Sequence, residues 1–172
     1  MHKARLLGSL ALAAVIASGA AFAAGPQYKT APIDTVYGQG VINPYGKFFT
    51  GTSYLQPLVG TDLGVVFNAS NVTFEPCTRT YWHSHSNGQV LFVVAGEGRH
   101  QIRGQQVEII KTGDVVIVPP GVEHWHGGGP DTWMSHVAFA PVPENNTPTW
   151  LDPVTDEEYN APAKPHQNQQ PK

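Results

Sequence analysis

Cysteine is almost absent: Cys77 is the only one in 172 residues. An intrachain disulfide is therefore excluded, and burial and hydrogen bonding must hold the fold. The thiol itself reads as a small buried filler rather than a nucleophile. Charge is scarce as well. Asp, Glu, Lys and Arg make up 13% of the residues, against about a quarter in an ordinary soluble domain. No basic cluster stands out, which argues against a nucleic-acid partner. Beyond the N-terminus no apolar run approaches the roughly 20 residues that a bilayer crossing takes. No segment repeats, so a chain of this length predicts one domain, roughly 100–200 residues being usual.

The N-terminus carries the one long apolar run. A basic start (His2, Lys3, Arg5) leads into Leu6 through Ile16, broken only by Gly8 and Ser9, and then into Ala21-Phe22-Ala23. That is the pattern of a secretory signal with a small-residue cleavage site. Residues 1–23 are expected to be removed on export to the periplasm, or with secretion as the alternative, leaving no membrane association. Removal takes Lys3 and Arg5 and no acid, so 8 basic side chains face 13 acidic ones. Residues 24–46 are rich in Gly, Pro and polar side chains and read as an extended arm, 47–160 as the folded body, and 161–172 as a flexible tail.

What the chain has is turns, with Gly 18, Pro 15 and a hydrophobic share of 41%. Apolar and β-branched runs recur at 52–59, 63–67, 71–74, 80–85, 89–95, 99–103, 105–111, 115–118 and 134–140. Ser86-Asn87-Gly88, Gly96-Glu97-Gly98, Gly104, Thr112-Gly113-Asp114 and Pro119-Pro120-Gly121 separate them. Many short strands with glycine turns predict an all-β sandwich or barrel. One short helical turn is expected at 155–159, capped by Thr155 with Glu158 in capping-box position.

Six of the eight histidines lie between His83 and His136. His83 and His85, two apart on a strand, share a face. Gln89 follows beyond a turn, and His124 comes from a later segment. Three imidazoles and an oxygen donor that converge in a barrel suit Mn, Fe, Co, Ni, Cu or Zn. His136 shares a strand face with Met134, Ala138 and Ala140, so it can point into the same pocket and exchange a proton near neutrality. His126 has the parity of His124 and either lines the pocket or supports a ligand from behind. Tyr81 has the parity of His83, which points its phenol toward the pocket. Arg79 is either an ion-pair donor or an anion holder. His100 and His166 have no supporting context and read as surface residues.

The pattern His83-x-His85-x3-Gln89-x6-Gly96 resembles the first motif of the cupin superfamily, and Gly113-x5-Pro119-x-Gly121-x2-His124 the second. The resemblance implies a double-stranded β-helix (jelly-roll) barrel that binds a metal through His83, His85, Gln89 and His124. Most cupins have Glu where this chain has Gln89. A neutral ligand set leaves the full charge on the ion and makes it a stronger Lewis acid. Further stretches are similar to one group, the bacterial manganese-dependent hydroxynitrile lyases: Phe49-Thr50-Gly51-Thr52, Val72 through Pro76, Trp82-His83-x-His85, Gly88-Gln89, His124-Trp125-His126-Gly127, Met134-x-His136, and Trp150 with Val154 through Glu157. That likeness implies Mn2+, with Fe2+ or Zn2+ as alternatives, an acid–base role for His136, and cyanohydrin cleavage to aldehyde and HCN. Two residues depart from the group's pattern: Tyr81 stands in place of a small residue and Cys77 in place of a glycine. Other cupin uses stay open, namely an Fe/Mn dioxygenase or a non-catalytic periplasmic ligand-binding protein. The partner expected in each case is a small molecule. An exposed strand face carrying Val137 and Phe139 suggests a homodimer or homotetramer.

Overall fold

The computed structural model describes residues 33–60, 64–141 and 146–168. The expected signal segment and the start of the arm lie outside them. Thirteen strands and one short helix follow one another: β1 (Val41–Ile42), β2 (Phe49–Thr50), β3 (Ser53–Val59), β4 (Phe67–Phe74), β5 (Arg79–Thr80), β6 (His83–His85), β7 (Gln89–Ile102), β8 (Val107–Lys111), β9 (Val115–Val118), β10 (His124–Gly128), β11 (Met134–Pro141), β12 (Pro148–Trp150), α1 (Asp156–Tyr159) and β13 (Ala163–Pro165). The strands form one curled sheet whose two walls make a jelly-roll barrel, the all-β architecture expected. One wall runs β1-β3-β4-β11-β7-β9. The other joins β2, β5, β10, β6 and β12 to β7, β8 and β13.

β7 belongs to both walls, and here the expectation of two strands, 89–95 and 99–103, is corrected. Gly96 and Gly98 bend a single strand instead of reversing it. Gly96 sits at φ +73, and a Cβ there would strike the Trp133 carbonyl, so only glycine lets the strand turn from one wall into the other. The expected 80–85 strand divides in the opposite sense. At Trp82 the chain leaves its neighbours, and the backbone pairs instead with Leu151 and Asp152. β1, β2, β12 and β13, two or three residues each, are too brief to leave an alternation.

Between the walls pack Val72, Phe74, Leu91, Val93, Ile110, Val116, Val118 and Met134. A second cluster (Trp82, Val107, Trp125, Val154 and Tyr159) lies under α1, against the outside of the second wall. The helix starts as expected. Thr155 Oγ1 accepts from the Glu158 amide, and the Glu158 carboxylate accepts from the Thr155 amide.

The tail is not frayed as far as Asn168. β13 pairs in parallel with β8, the His166 ring reaches Glu108 and the Val115 carbonyl, and Asn168 bonds Asp114 and the Val115 amide. Composition hid this, because the docking is made by polar side chains. Cys77 is exposed rather than buried. It sits at φ +63, the left-handed region that favours glycine, and its thiol donates to the Pro130 carbonyl. Among the described residues no helix is long and apolar enough to cross a membrane.

Candidate metal centre

His83 and His85 stand two apart on β6 and are buried. β10 runs antiparallel beside β6 with His124 directly opposite His83, which sets their ring centroids 4.2 Å apart. Gly88 closes the turn into β7 at φ +77, where a Cβ would stand 2.6 Å from the Val118 carbonyl. That tight turn delivers Gln89 to the same place. The potential ligand nitrogens of His83, His85 and His124 lie within 4.8 Å of one another, and Gln89 Oε1 lies 3.0 Å from His124 Nε2.

The tautomers decide what these atoms can do. His83 Nδ1 meets the Tyr81 carbonyl at 2.9 Å and His124 Nδ1 the Val122 carbonyl at 3.1 Å. A carbonyl only accepts, so both Nδ1 atoms carry the proton and both Nε2 atoms present lone pairs. His124 Nε2 and Gln89 Oε1 are then two acceptors face to face, an arrangement that a cation satisfies. Burial also keeps the rings neutral, as metal ligation requires. It lowers His83 to about 3 and His85 to about 4, and takes His124 well below its ordinary value. The residues present therefore fit a divalent transition metal.

His126 on β10 and His136 on β11 meet across the barrel, with Nδ1 of His126 3.1 Å from Nε2 of His136. Both are buried, and both are lowered chiefly by burial, His136 to about 3. His126 Nε2 and His136 Nδ1 have no hydrogen-bond partner among the described residues. The pair, with His83, His85 and Gln89, lines a cavity of about 240 Å³. Phe49, Leu55, Val72, Ala138, Ala140 and Trp150 supply apolar lining, and Asn43, Tyr45, Asn68, Ser70 and Asn146 polar lining. Among the described residues no Asp, Glu, Lys or Arg lines the cavity. His124 is fully buried beneath them.

Tyr81 does not join the site. It is not among the residues that line the cavity, because the strand breaks beside it and the parity argument lapses. Its backbone carbonyl matters instead, through His83. Arg79 proves to be structural: it donates to the Val154 carbonyl and to Asp156 and stacks on Tyr159. His100 is not a surface residue but 2% exposed, with its ring 6.0 Å from that of His124. Parity did not give this away: His100 stands an odd number of residues from Gln89, and only the register shift within β7, between Val93 and Ala95, turns it inward. His166 is largely buried against Glu108. Pro148 and Asn146 join the cavity with no sequence signal.

Comparison with known proteins fits this geometry. Residues 70–132 match the model of the Cupin domain family. The chain is 44% identical over 112 residues to a protein of Granulicella tundricola named (R)-mandelonitrile lyase, covering 65% of this chain and 86% of that one. A solved cupin-like protein of Thermotoga maritima superposes with a TM-score of 0.69 at 41% identity, over 73% of this chain and 95% of that one. An acireductone dioxygenase of Gluconobacter oxydans is 36% identical over 87 residues, less than half of either chain. The chain belongs to the cupin family.

Proposed function

We propose that the protein is a metal-dependent lyase that cleaves and forms cyanohydrins, with an aldehyde and HCN on the other side of the equilibrium. The observation that carries the reading is the union, at one cavity whose described lining holds no charged side chain, of four neutral metal-type donors and the buried His126–His136 pair. The relative named (R)-mandelonitrile lyase supports it. Nε2 of His83 and His124, a ring nitrogen of His85 and Oε1 of Gln89 would hold the ion, which we assign as Mn2+, with Fe2+ or Zn2+ able to use the same donors. When bound, the ion supplies Lewis acidity toward a substrate oxygen.

The chain's own groups do the rest. Phe49, Leu55 and Trp150 take the apolar body of a neutral substrate, and no Lys or Arg among the described lining residues offers a substrate carboxylate a partner. His136, neutral at physiological pH, accepts the hydroxyl proton at Nδ1 while Nε2–H stays on His126 Nδ1. The O–H electron pair becomes the carbonyl π bond as the carbon–carbon bond breaks. Cyanide leaves with that bond's electron pair and takes the proton back from His136. Mn-loaded protein should release benzaldehyde from mandelonitrile, and His136→Ala should lose at least about 100-fold in rate. Release no faster than with free Mn2+, or an undiminished variant, would sink the reading. The dioxygenase relative favours a second reading, which predicts oxygen uptake with turnover; the lyase needs none. Export to the periplasm belongs to the same proposal, and N-terminal sequencing of the periplasmic protein should begin after Ala23.

A further inference from the structure

A row of side chains crosses the inner face of the sheet behind the metal centre. His126 stands opposite His100, His100 opposite Glu108, and Glu108 opposite Lys164, on β10, β7, β8 and β13. Cross-strand partners point to the same face, so the row runs from the cavity to the C-terminal strand. His100 is its buried middle. The ring packs against the ligand candidate His124, 6.0 Å between centroids, and neither of its nitrogens has a partner within hydrogen-bond distance among the described residues. The charge facing it is Glu108 Oε2, 3.8 Å from Nδ1. That carboxylate is itself held by His166 Nδ1 at 2.7 Å and Lys164 Nζ at 3.4 Å. Its imidazole neighbours, His100 first, lower its carboxyl to about 2, so it is an anion at any working pH. A buried imidazole whose nearest polar partner stands 3.8 Å away is costly where an aliphatic side chain would pack freely. Packing alone therefore does not account for His100.

We propose that Glu108 is a positioning residue of the metal centre: it acts through His100 to hold the His124 ring, and it supplies a negative charge that the neutral ligand set lacks. The inference rests on the metal reading above. It also gives the docked C-terminal strand a purpose, since His166 and Lys164 fix the carboxylate.

The test is Mn2+ retention by the full protein against a competing chelator, with the paramagnetic resonance spectrum of the bound ion. Glu108→Gln should weaken retention about tenfold and alter the spectrum, while the metal-free protein melts within a few degrees of wild type. His100→Leu, which fills the space without polar atoms, should do the same and serves if Glu108→Gln does not fold. Arg103→Ala breaks the exposed pairs to Glu123 and Asp152 and should change neither readout. Retention and spectrum in Glu108→Gln equal to wild type would overturn the inference, as would an equal loss in Arg103→Ala. A wild type that retains no ion would instead sink the metal reading, and this inference with it.

Discussion

At the scale of single residues, the unusual feature is how many imidazoles are buried without charge. The ring nitrogens of His83, His85 and His124 can only share a small volume because none of the rings is protonated. Burial is the first cause of every shift among them, and like-charge repulsion between the rings adds to it for His83 and His124. The consequence for stability follows from linkage. The unfolded chain takes up protons near the ordinary histidine value of 6.5, whereas folded His83 and His136 wait until about 3 and His85 until about 4. The unfolded state therefore binds more protons between those limits, and stability rises with pH across the window. The contribution is complete above pH 6.5 and is lost as pH falls toward 3–4. Metal-free protein should show a flat melting temperature from about pH 7 to 8 and a continuous decline below about 6.5. A melting temperature constant down to pH 4.5 would contradict the assigned burial. That His83 and His85 share a face was legible in the sequence because a strand alternates every second residue, whereas Gln89 and His124 joined them only through the cupin resemblance. Tyr81 obeyed the same rule on paper and failed it, since alternation holds only while the strand lasts.

At the scale of elements, the site depends on pieces that sequence patterns do not record. β12 is three residues long, yet it pairs with β6 and brings Trp150 against His83, 4.8 Å between rings. The glycines mislead in a consistent way: a glycine ends a strand when the chain must reverse, but in β7 it lets one strand serve two walls. α1 shows the opposite case, because a capping box is local chemistry and can be read directly. Arg79, whose side chain is 5% exposed, helps fix α1 to the barrel beside the Tyr159 packing and the Tyr159–Gly128 hydrogen bond. Two kinds of bond compete for the credit. The ion pair to Asp156 is 2.7 Å long, but Asp156 is 89% exposed, and such pairs contribute about 0–1 kcal/mol. The donations to the buried Val154 carbonyl and the stack on Tyr159, 4.7 Å from the guanidinium carbon, have no solvent to replace them. Arg79→Ala should therefore cost roughly 3 kcal/mol, about 10 °C in melting temperature, while Asp156→Asn should cost under about 0.5 kcal/mol. Arg79→Lys should rescue little, since lysine lacks the planar fork. Thermal denaturation of the three variants checks the order, and equal losses in Arg79→Ala and Asp156→Asn would reverse the assignment.

At the scale of the whole molecule, the barrel protects its outer faces unequally. The second wall is covered by α1 and the segment around it. On the first wall the arm covers one part: the Gly38 carbonyl accepts from Asn71 Nδ2, and Val137, expected to be exposed, is 5% exposed. Beside it the same face stays open. Phe67 and Phe92 both pack on Phe139, with centroids 5.4 Å and 5.5 Å apart. Together with Val90 and Pro141 they line an apolar depression, with Phe92 and Ile117 each about two-fifths exposed. A contiguous aromatic patch on the outer face of the sheet is costly to leave in water, and a two-fold axis lets such a patch cover its own copy. We therefore expect the protein to be a homodimer or homotetramer built on this face. Phe92→Glu places a carboxylate in the middle of the patch and on the opposite face of β7 from Gln89, because an odd separation within the regular part of the strand points the two to opposite faces. The variant should fall to monomer in light scattering coupled to size exclusion and keep its Mn2+ content. A wild type that is monomeric at micromolar concentration, or a variant that stays associated, would move the interface elsewhere or abolish it.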